Sequence, residues 1–313
     1  DLLFRGKRMD IQARQARIGE ARLVNVRAQI ADLIDSARVL QVTGEAAGDT
    51  SAFLGFIAQS PVSRMIDGYT EGMQAQGQGK LGLRLTLPLS AINKSKVSGS
   101  YQFINNRLMP DAAMPPLENV NGRLEFTESS IRVPNATAVF LGGPLTVSAG
   151  SRRDAAVSIQ FNGRINADAV RRTGGVEWIR HLRGTTDWRG SLTLRQKRVD
   201  IVVDSSLQGL AVSLPAPFMK TAGETLPLRV ERRSSGPQQE RIAVTVGSMF
   251  NAVLHRRNSA QGSVVERGAI RFGEGAVPDP ENAGIAVSGA MKSLDIDDWL
   301  ALLGSGGGGA PGS

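Results

Sequence analysis

The 313-residue chain contains no cysteine, two histidines and few aromatic residues, and none of its apolar runs approaches the length of a membrane span. Without cysteine it forms no disulfide, no reactive thiolate and no cysteine zinc site. A spanning helix needs roughly 18 consecutive apolar residues. We therefore expect either a soluble chain or an internal part of a membrane-anchored protein.

The residues that carry common enzyme chemistry are also scarce. His181 and His255 are far apart and lack neighbouring ligands at metal-binding spacing, so no metal site is expected. The chain has no Gly-x-Ser-x-Gly elbow, no phosphate loop and no Gly-x-Gly-x-x-Gly after a strand. Asp200 and Asp204 flank a strand, and a glycosidase-like pair with another carboxylate is the alternative to an ordinary place at strand ends. We predict a non-enzymatic protein without a cofactor.

The positive charge is spread along the chain. The net charge is +8 and the pI about 10.4, while aromatic residues make up only 5% of the chain. A nucleic-acid surface requires clustered basic residues and aromatic side chains for stacking, so we expect no nucleic-acid partner. The scattered arginines are consistent with solvated strand faces or with contact to anionic lipid headgroups.

Alternation of apolar and polar residues dominates the sequence. Leucine occupies every second position from 81 to 89, which predicts a strand with one apolar face. The same period occurs at 157–161, 199–203, 242–246 and 285–289. Turns are predicted at 105–106, 142–144, 150–151 and 162–163. The pattern indicates an antiparallel meander with most apolar side chains on one face.

Predicted helices are few and short. One begins at Ser60 and Pro61 and places Met65 and Ile66 on an apolar stripe, and a second spans about 167–183. A third begins near Asp295, where the acidic residues are assigned to helix capping. Between two alternating strands, the segment 215–222 is expected to form a short helical turn that Pro217 opens and Gly223 ends.

Several phrases resemble the AsmA-like YhdP family of bacterial envelope proteins. They are Leu-Pro-Ala-Pro at 214–217, Leu-Glu-Asn-Val-Asn-Gly-Arg-Leu-Glu-Phe at 117–126, Gly-Thr-Thr-Asp-Trp at 184–188 and Ser-Leu-Asp-Ile-Asp-Asp-Trp at 293–299. The resemblance implies a long β-rich protein with a hydrophobic groove. It further implies an inner-membrane anchor outside this chain, a location in the periplasm of a Gram-negative bacterium, and phospholipid transport between the inner and outer membranes.

The chain is predicted to contain three similar β-groove modules. Residues 23–30 and 117–124 form a weak internal repeat, and modules at 1–95, 96–204 and 205–303 follow from its spacing of about 95 residues. The helices fall near 61–73, 167–183, 215–222 and 295–303. Residues 304–313 have the composition of a flexible linker or tag.

The predicted fold is an elongated, curled antiparallel sheet that forms a hydrophobic groove with a few short helices, and the alternative is a closed β-sandwich. A two-chain phospholipid with about 30 methylenes costs on the order of 20 kcal/mol to expose to water, and an aliphatic groove removes most of that cost. The groove residues predicted from strand parity are Leu81, Leu83, Leu85, Leu87, Val199, Ile201, Val203, Leu210, Val212, Leu226, Leu228, Ile242, Val244 and Val246. Phe218 and Met219 are predicted to plug the groove or cap its end.

The expected partners are phospholipids and, through other parts of the parent protein, the two membranes, with a monomer favoured. One rival function is a periplasmic scaffold or assembly chaperone for outer-membrane components, which would hold other proteins at exposed strand edges around a closed, dry core. Another is a polysaccharide-acting protein. It would display an exposed row of tryptophans, drawn from Trp178, Trp188 and Trp299, beside carboxylates.

Overall fold

The computed structural model confirms the predicted fold class. It is mainly β, with 64% of the described residues in strands and few helices. The structure describes residues 1–18, 21–59, 63, 68, 70–111, 114–154, 156–173, 177–195, 198–236, 238–259, 262–290 and 297. Among these residues no helix is long and apolar enough to cross a membrane.

The chain divides into two compact units. The N-unit comprises Asp1–Phe140, Leu145–Gln160 and Leu194–Lys197, and the C-unit comprises Leu141–Pro144, Phe161–Thr193 and Arg198–Ser313. The division into three modules at 1–95, 96–204 and 205–303 stays a prediction.

The N-unit is an antiparallel meander in which each strand pairs with the next. Its strands are β1 (Leu2–Arg5), β2 (Arg8–Ile18), β3 (Ala21–Ile30), β4 (Val39–Asp49), β5 (Gln74–Pro88), β6 (Lys96–Met109), β7 (Leu117–Thr127) and β8 (Ile131–Phe140). Two further strands, β9 (Gly143–Ser151) and β10 (Val157–Asn166), have residues in both units. Short connections between neighbours are what an antiparallel sheet permits.

The C-unit contains a second meander and a small separate pair. β12 (Arg198–Ser205), β14 (Leu228–Gly236), β15 (Gln239–Val246), β16 (Phe250–Ser259) and β17 (Gly262–Phe272) pair antiparallel in that order. β18 (Gly284–Gly289) joins β17 in parallel. β11 (Leu182–Arg195) pairs with β13 (Leu210–Val212), and its last two residues, Leu194 and Arg195, belong to the N-unit.

Helices α1 (Thr50–Gln59) and α2 (Ala167–Arg172) are accompanied by 3₁₀ turns at Ile92–Lys94 and Glu177–His181. α2 and the second turn fall within the region 167–183 where a helix is predicted, whereas sequence reasoning missed α1. Most of the predicted helix at 61–73 and the one at 295–303 lie outside the described residues.

No helix forms at 215–222, so that prediction is wrong. The peptide bond before Pro217 is cis, and Phe218 N donates to Pro215 O at 3.0 Å in a single turn. The chain then returns to the sheet, because Lys220 exchanges backbone hydrogen bonds with Val212 at 2.8 and 3.0 Å. The segment is a loop clipped to β13.

Two predicted turns lie inside strands. Asn162 and Gly163 belong to β10, and Asn105 and Asn106 belong to β6. Asn105 has a φ of 49°, and the β6–β7 register shifts beside it. Asparagine tolerates this left-handed backbone, and such residues mark bulges as well as turns.

The weak internal repeat corresponds to a shared bulge. The aligned residues Asn25 in β3 and Asn119 in β7 have φ values of 53° and 51°. The β3–β4 register shifts just after Val24, and the β7–β8 register shifts just after Glu118. A bulge adds one residue to a strand and increases its twist, so the repeated phrase places the same distortion in two strands of the N-unit.

Candidate functional site

The leucines of β5 lie on one continuous apolar face of the N-unit, here called the N-face. Residues directly opposite in antiparallel strands share a face, and Leu81 lies opposite Ala46 of β4 and Tyr101 of β6. The N-face comprises Leu23, Ala28, Ile30, Leu40, Val42, Ala46, Leu81, Leu83, Leu85, Leu87, Val97, Tyr101, Leu124 and Phe126. Leu81, Leu83, Leu85 and Leu87 are only half-buried, so this face is not a closed core.

Helix α1 covers one end of the N-face. Phe53 packs against Ala46 and Tyr101, and the rings of Phe53 and Tyr101 meet edge to face at 5.3 Å. Such pairs favour this geometry because the ring edge is positive and the ring face negative. The half-buried Leu23, Leu81, Phe103 and Leu124 complete this cluster.

A buried network of neutral polar groups fixes the start of α1 on the sheet. The Tyr101 hydroxyl donates to Thr50 Oγ1 at 2.9 Å, and Thr50 in turn donates to Asn106 Oδ1. Asn106 Nδ2 donates to the backbone oxygens of Gln78 and Ile104 at 2.8 and 3.1 Å. Burial raises the pKa of Tyr101, partly offset by its hydrogen bond to Thr50, which keeps the phenol protonated as a donor.

The C-unit has a second apolar face, the C-face, built from β12 and β14–β18. Three rows of opposed residues cross these strands. The rows contain Ser205, Leu228, Val246, Phe250 and Phe272; Val203, Val230, Val244, Ala252, Ile270 and Val287; and Ile201, Arg232, Ile242, Leu254, Gly268 and Ile285. Most of these side chains are half-buried, and Ile285 and Val287 of β18 are exposed.

Phe218 lies at one end of the C-face. Its ring meets Phe272 at 6.1 Å in an edge-to-face contact, and Phe272 in turn lies 6.3 Å from Phe250. Both partners belong to the terminal row of the C-face. That Phe218 plugs the groove or caps its end stays a prediction. Met219 beside it is 67% exposed.

The opposite end of the C-face carries an ion cluster, the Glu240 cluster. The Glu240 carboxylate is buried and accepts two hydrogen bonds from Arg232, at 2.5 and 2.9 Å, and one from Arg256 at 3.0 Å. Asn258 Nδ2 also donates to it. Burial raises the pKa of Glu240, but the hydrogen bonds from Arg232, Asn258 and Arg256 together bring it below its usual value. The carboxylate is therefore ionised at neutral pH.

Three predicted groove residues lie apart from both faces. Leu210 is buried with Ala167 and Leu182 in a small core under α2, and Val212 packs against that core. Leu226 precedes β14 in a loop, where its amide donates to Ser206 O at 2.8 Å. Parity predicted these residues because it identifies an apolar side of a strand, and it does not show whether that side is already covered.

Lys220 holds the Phe218 loop next to this small core. Its ammonium group donates to Leu210 O at 2.8 Å and to Thr221 O at 3.0 Å. Burial lowers the pKa of Lys220, and the nearby Glu224 partly offsets that effect. The buried lysine is thus explained as a backbone clamp.

Both carboxylates considered for other chemistry, and Trp188 among the tryptophans, have ordinary partners. Asp204 accepts from Arg229 at 2.9 Å, and Asp200 accepts from Ser234 N at 3.2 Å. Trp188 stacks on Phe161 with ring centroids 6.3 Å apart, and Trp299 lies outside the described residues. No group of acidic or histidine side chains among the described residues forms a metal site.

Sequence reasoning missed the Glu240 cluster and the aromatic end of the C-face. Alternation continues through Phe250, Ala252 and Leu254, which would have identified the row. A cleft of about 540 Å³ in the N-unit was also missed, and its lining is mainly polar. It is lined by Asn25, Thr43, Gly44, Glu45, Gly82, Leu83, Arg84, Ser98, Gly99, Ser100, Arg123, Glu125 and Phe126. Most of its polar side chains alternate with N-face residues, whereas Leu83 and Phe126 of its lining belong to the N-face.

Comparison with known proteins agrees with the geometry. The family described as "YhdP protein" matches residues 1–311. The chain belongs to the YhdP family. A curated member, "Intermembrane phospholipid transporter YhdP" of Escherichia coli (strain K12), is 23% identical over 295 residues, which is 91% of this chain and 23% of that protein. This YhdP-family chain thus spans about a quarter of the length of its curated relative. No solved structure gives a significant match.

The two faces of this YhdP-family chain offer dispersion contacts and few directional bonds. Leu, Ile and Val side chains contribute many weak contacts without fixing the position of a ligand. Such surfaces can hold a flexible hydrocarbon chain in many positions of similar energy. Among the described residues of the C-face, those that could fix the orientation of a ligand lie at its two ends.

Proposed function

We propose that this chain forms part of a phospholipid transporter acting between the inner and outer membranes of a Gram-negative bacterium, with acyl chains held on the N-face and the C-face. The observation that carries the proposal is the pair of largely half-buried aliphatic faces. The N-face contains the alternating leucines Leu81 to Leu87 of β5, and the C-face contains Val203 of β12 with Val244 and Val246 of β15. The name of the Escherichia coli relative supports lipid as the cargo. The proposed location is the periplasm, with an inner-membrane anchor in a part of the parent protein outside this chain.

The energetic argument favours a shielding surface over a catalytic site. Each methylene removed from water contributes about 0.8 kcal/mol. An aliphatic face therefore retains a lipid and still permits it to move along the face, because no single contact is strong. Relationship to a lipid transporter supports the proposal that this chain acts without catalysing a reaction.

The first test is native mass spectrometry with lipid extraction on the chain purified from bacterial cells without detergent. We expect copurified phospholipid. The double variant Leu83→Glu with Ile201→Glu should lose most of that lipid, because each change places a charge on one face. A matched control, Thr86→Glu with Thr245→Glu, adds the same charge to the opposite sides of β5 and β15.

Folding must be established for every variant by circular dichroism. A folded double variant that keeps the wild-type amount of lipid, or a wild-type chain that is folded and carries none, would contradict the proposal. The scaffold alternative predicts a closed, dry core, whereas Leu81, Leu83, Leu85 and Leu87 of the N-face are only half-buried. Binding of unfolded β-barrel segments by a lipid-free chain would favour that alternative.

A further inference from the structure

The Glu240 cluster lies on the C-face itself. Glu240 is opposite Ser234 and Arg256, and Arg232 lies in the next row between Ile201 and Ile242. Both arginines therefore project from the same side of the sheet as the aliphatic rows. The cluster forms the end of that face opposite to Phe218.

The two arginine side chains of the cluster are partly exposed to solvent, and the glutamate side chain is buried. The Glu240 side chain is 4% exposed, whereas those of Arg232 and Arg256 are 40% and 32% exposed. Two guanidinium groups against one ionised carboxylate leave one net positive charge. Arg256 Nε is buried and has no hydrogen-bond partner among the described residues, so the donors of the cluster exceed the acceptors that face them.

We propose that Arg232 and Arg256 bind the phosphate group of a glycerophospholipid whose acyl chains lie along the C-face toward Phe218. This inference rests on the proposed function and adds the place and orientation of the headgroup. Guanidinium groups suit phosphate because their donors match its oxygens in pairs. The buried carboxylate of Glu240 holds both arginines in position through its hydrogen bonds to them.

The dimensions agree with this orientation. Val246 lies six positions after Glu240 along β15, which corresponds to about 20 Å at the rise of a strand. One acyl layer is half of a hydrocarbon core of about 30 Å, or about 15 Å. A phospholipid with its phosphate at the Glu240 cluster thus extends over the rows of Ile242, Val244 and Val246.

The same strand supplies a matched control. Arg229, Glu231 and Arg233 form a second Arg-Glu-Arg group on the opposite side of β14, with contacts of 2.7 and 2.8 Å. This group has the same charge but lies away from the C-face. Two triple variants therefore change the net charge equally. The cluster variant is Arg232→Gln/Glu240→Gln/Arg256→Gln, and the control variant is Arg229→Gln/Glu231→Gln/Arg233→Gln.

The experiment compares two lipids with identical acyl chains. The purified chain is incubated with phosphatidylcholine vesicles that contain equal amounts of dioleoyl phosphatidylglycerol and dioleoylglycerol, and the lipids bound to the separated protein are quantified by mass spectrometry. We expect the wild type to prefer phosphatidylglycerol roughly tenfold, as one charge-assisted contact allows. The Glu240-cluster variant should lose that preference and bind as much total lipid, and the Arg229 control should keep it.

The outcomes separate the two proposals. A wild type that binds both lipids equally, or a folded cluster variant that keeps the preference, overturns the headgroup site and leaves the proposed function intact. A folded wild type that carries none of the three lipids, phosphatidylcholine included, overturns the proposed function. Addition of inorganic phosphate equimolar to the lipid should leave the preference for phosphatidylglycerol unchanged. If the added phosphate abolishes that preference, the cluster is a site for free phosphate. If the triple variant does not fold, Arg256→Gln alone replaces it, because the two contacts between Arg232 and Glu240 remain.

Discussion

The N-unit and the C-unit end their apolar faces with different chemistry. In the N-unit, α1 covers one end, and the neutral groups of Thr50, Tyr101 and Asn106 hold the helix there. In the C-unit, the face ends in the aromatic side chain of Phe218 on one side and in the charged Glu240 cluster on the other. The N-face thus has one dry, covered end, and the C-face has one end at which charge is available.

The same strand pattern serves two roles in the two units. A sheet with one apolar face must cover it with a helix, another sheet or a ligand. The cover of α1 is a permanent part of one end of the N-face, whereas Leu83, Leu85 and Leu87 and most residues of the C-face rows stay half-buried. Mutations at the two kinds of end should consequently affect different units and respond differently to pH.

The largest effect is expected from Gly79→Ala in β5. A Cβ at this position would lie 1.9 Å from Tyr101 Oη, so the ring must move and break its hydrogen bond to Thr50. Overpacking and a lost buried hydrogen bond together should lower the free energy of unfolding by about 2–3 kcal/mol. Hydrogen exchange of the N-unit amides should report it, with the C-unit amides unchanged.

Gly82→Ala is the control on the same strand. The nearest atom to its new Cβ is Ser100 Oγ at 3.7 Å, which is an ordinary contact. We expect a change within about 0.5 kcal/mol. Equal destabilisation by the two substitutions would show that β5 tolerates no side chain at glycine positions, and it would remove the specific role given to Tyr101.

The next effect is expected from Glu240→Gln. Loss of the carboxylate leaves Arg232 and Arg256 facing each other, which should cost the C-unit about 1–3 kcal/mol. Asp187→Asn is the control, because Asp187 pairs with Arg164 on an exposed part of the C-unit and such pairs contribute roughly 0–1 kcal/mol. A cluster variant as stable as this control would contradict the view that Glu240 positions the arginines.

The Glu240 contribution should also depend on pH. Because the folded-state pKa of Glu240 lies below its usual 4.5, the unfolded chain takes up a proton first as the solution is acidified. The stabilisation is therefore complete above pH 4.5 and is lost as the pH falls through the lowered pKa. Urea unfolding of the wild type and Glu240→Gln between pH 7 and pH 3 should give a difference that shrinks in acid. A constant difference would exclude this ionisation as its source.

A smaller effect is expected from Thr50→Val in the N-unit. The change removes the hydroxyl that joins Tyr101 to Asn106 and leaves a buried donor and a buried acceptor unsatisfied, at about 1–2 kcal/mol. Thr245→Val on β15 is exposed and should be neutral. Because the network has no charged group, the Thr50→Val difference should be the same at pH 7 and pH 4, in contrast to Glu240→Gln.

The sequence predicts the strands and their apolar sides well, because strand parity is a local property. The alternation at 81–87 and 242–246 corresponds to β5 and β15, with the predicted residues on one face in each unit. The turns predicted from asparagine residues are less accurate. Asn105 and Asn106 predict a turn because asparagine is common in turns, but the strand continues through a bulge there.

Whether an apolar side is covered, and which charged side chains meet, depends on residues distant in the sequence. Both are therefore less predictable than the strands. Leu210 has the same parity pattern as the groove residues, yet α2 buries it. Arg232 and Glu240 are eight positions apart and meet only because β14 and β15 pair in one register. The local sequence around Arg232 and Glu240 does not distinguish this pair from the solvated arginines. The charged end of the C-face is therefore visible only in the folded structure.

The smallest effect is expected at the aromatic end of the C-face. Phe218→Ala removes an edge-to-face contact with Phe272, which should cost about 1 kcal/mol. Met219→Ala beside it should be neutral, because that side chain is exposed. If Phe218 only caps the face, lipid retention in native mass spectrometry should change little, whereas a plug that excludes lipid predicts more bound lipid in Phe218→Ala. Less bound lipid than in Met219→Ala would instead place Phe218 among the residues that hold the acyl chains, and the C-face would then extend over the Phe218 loop.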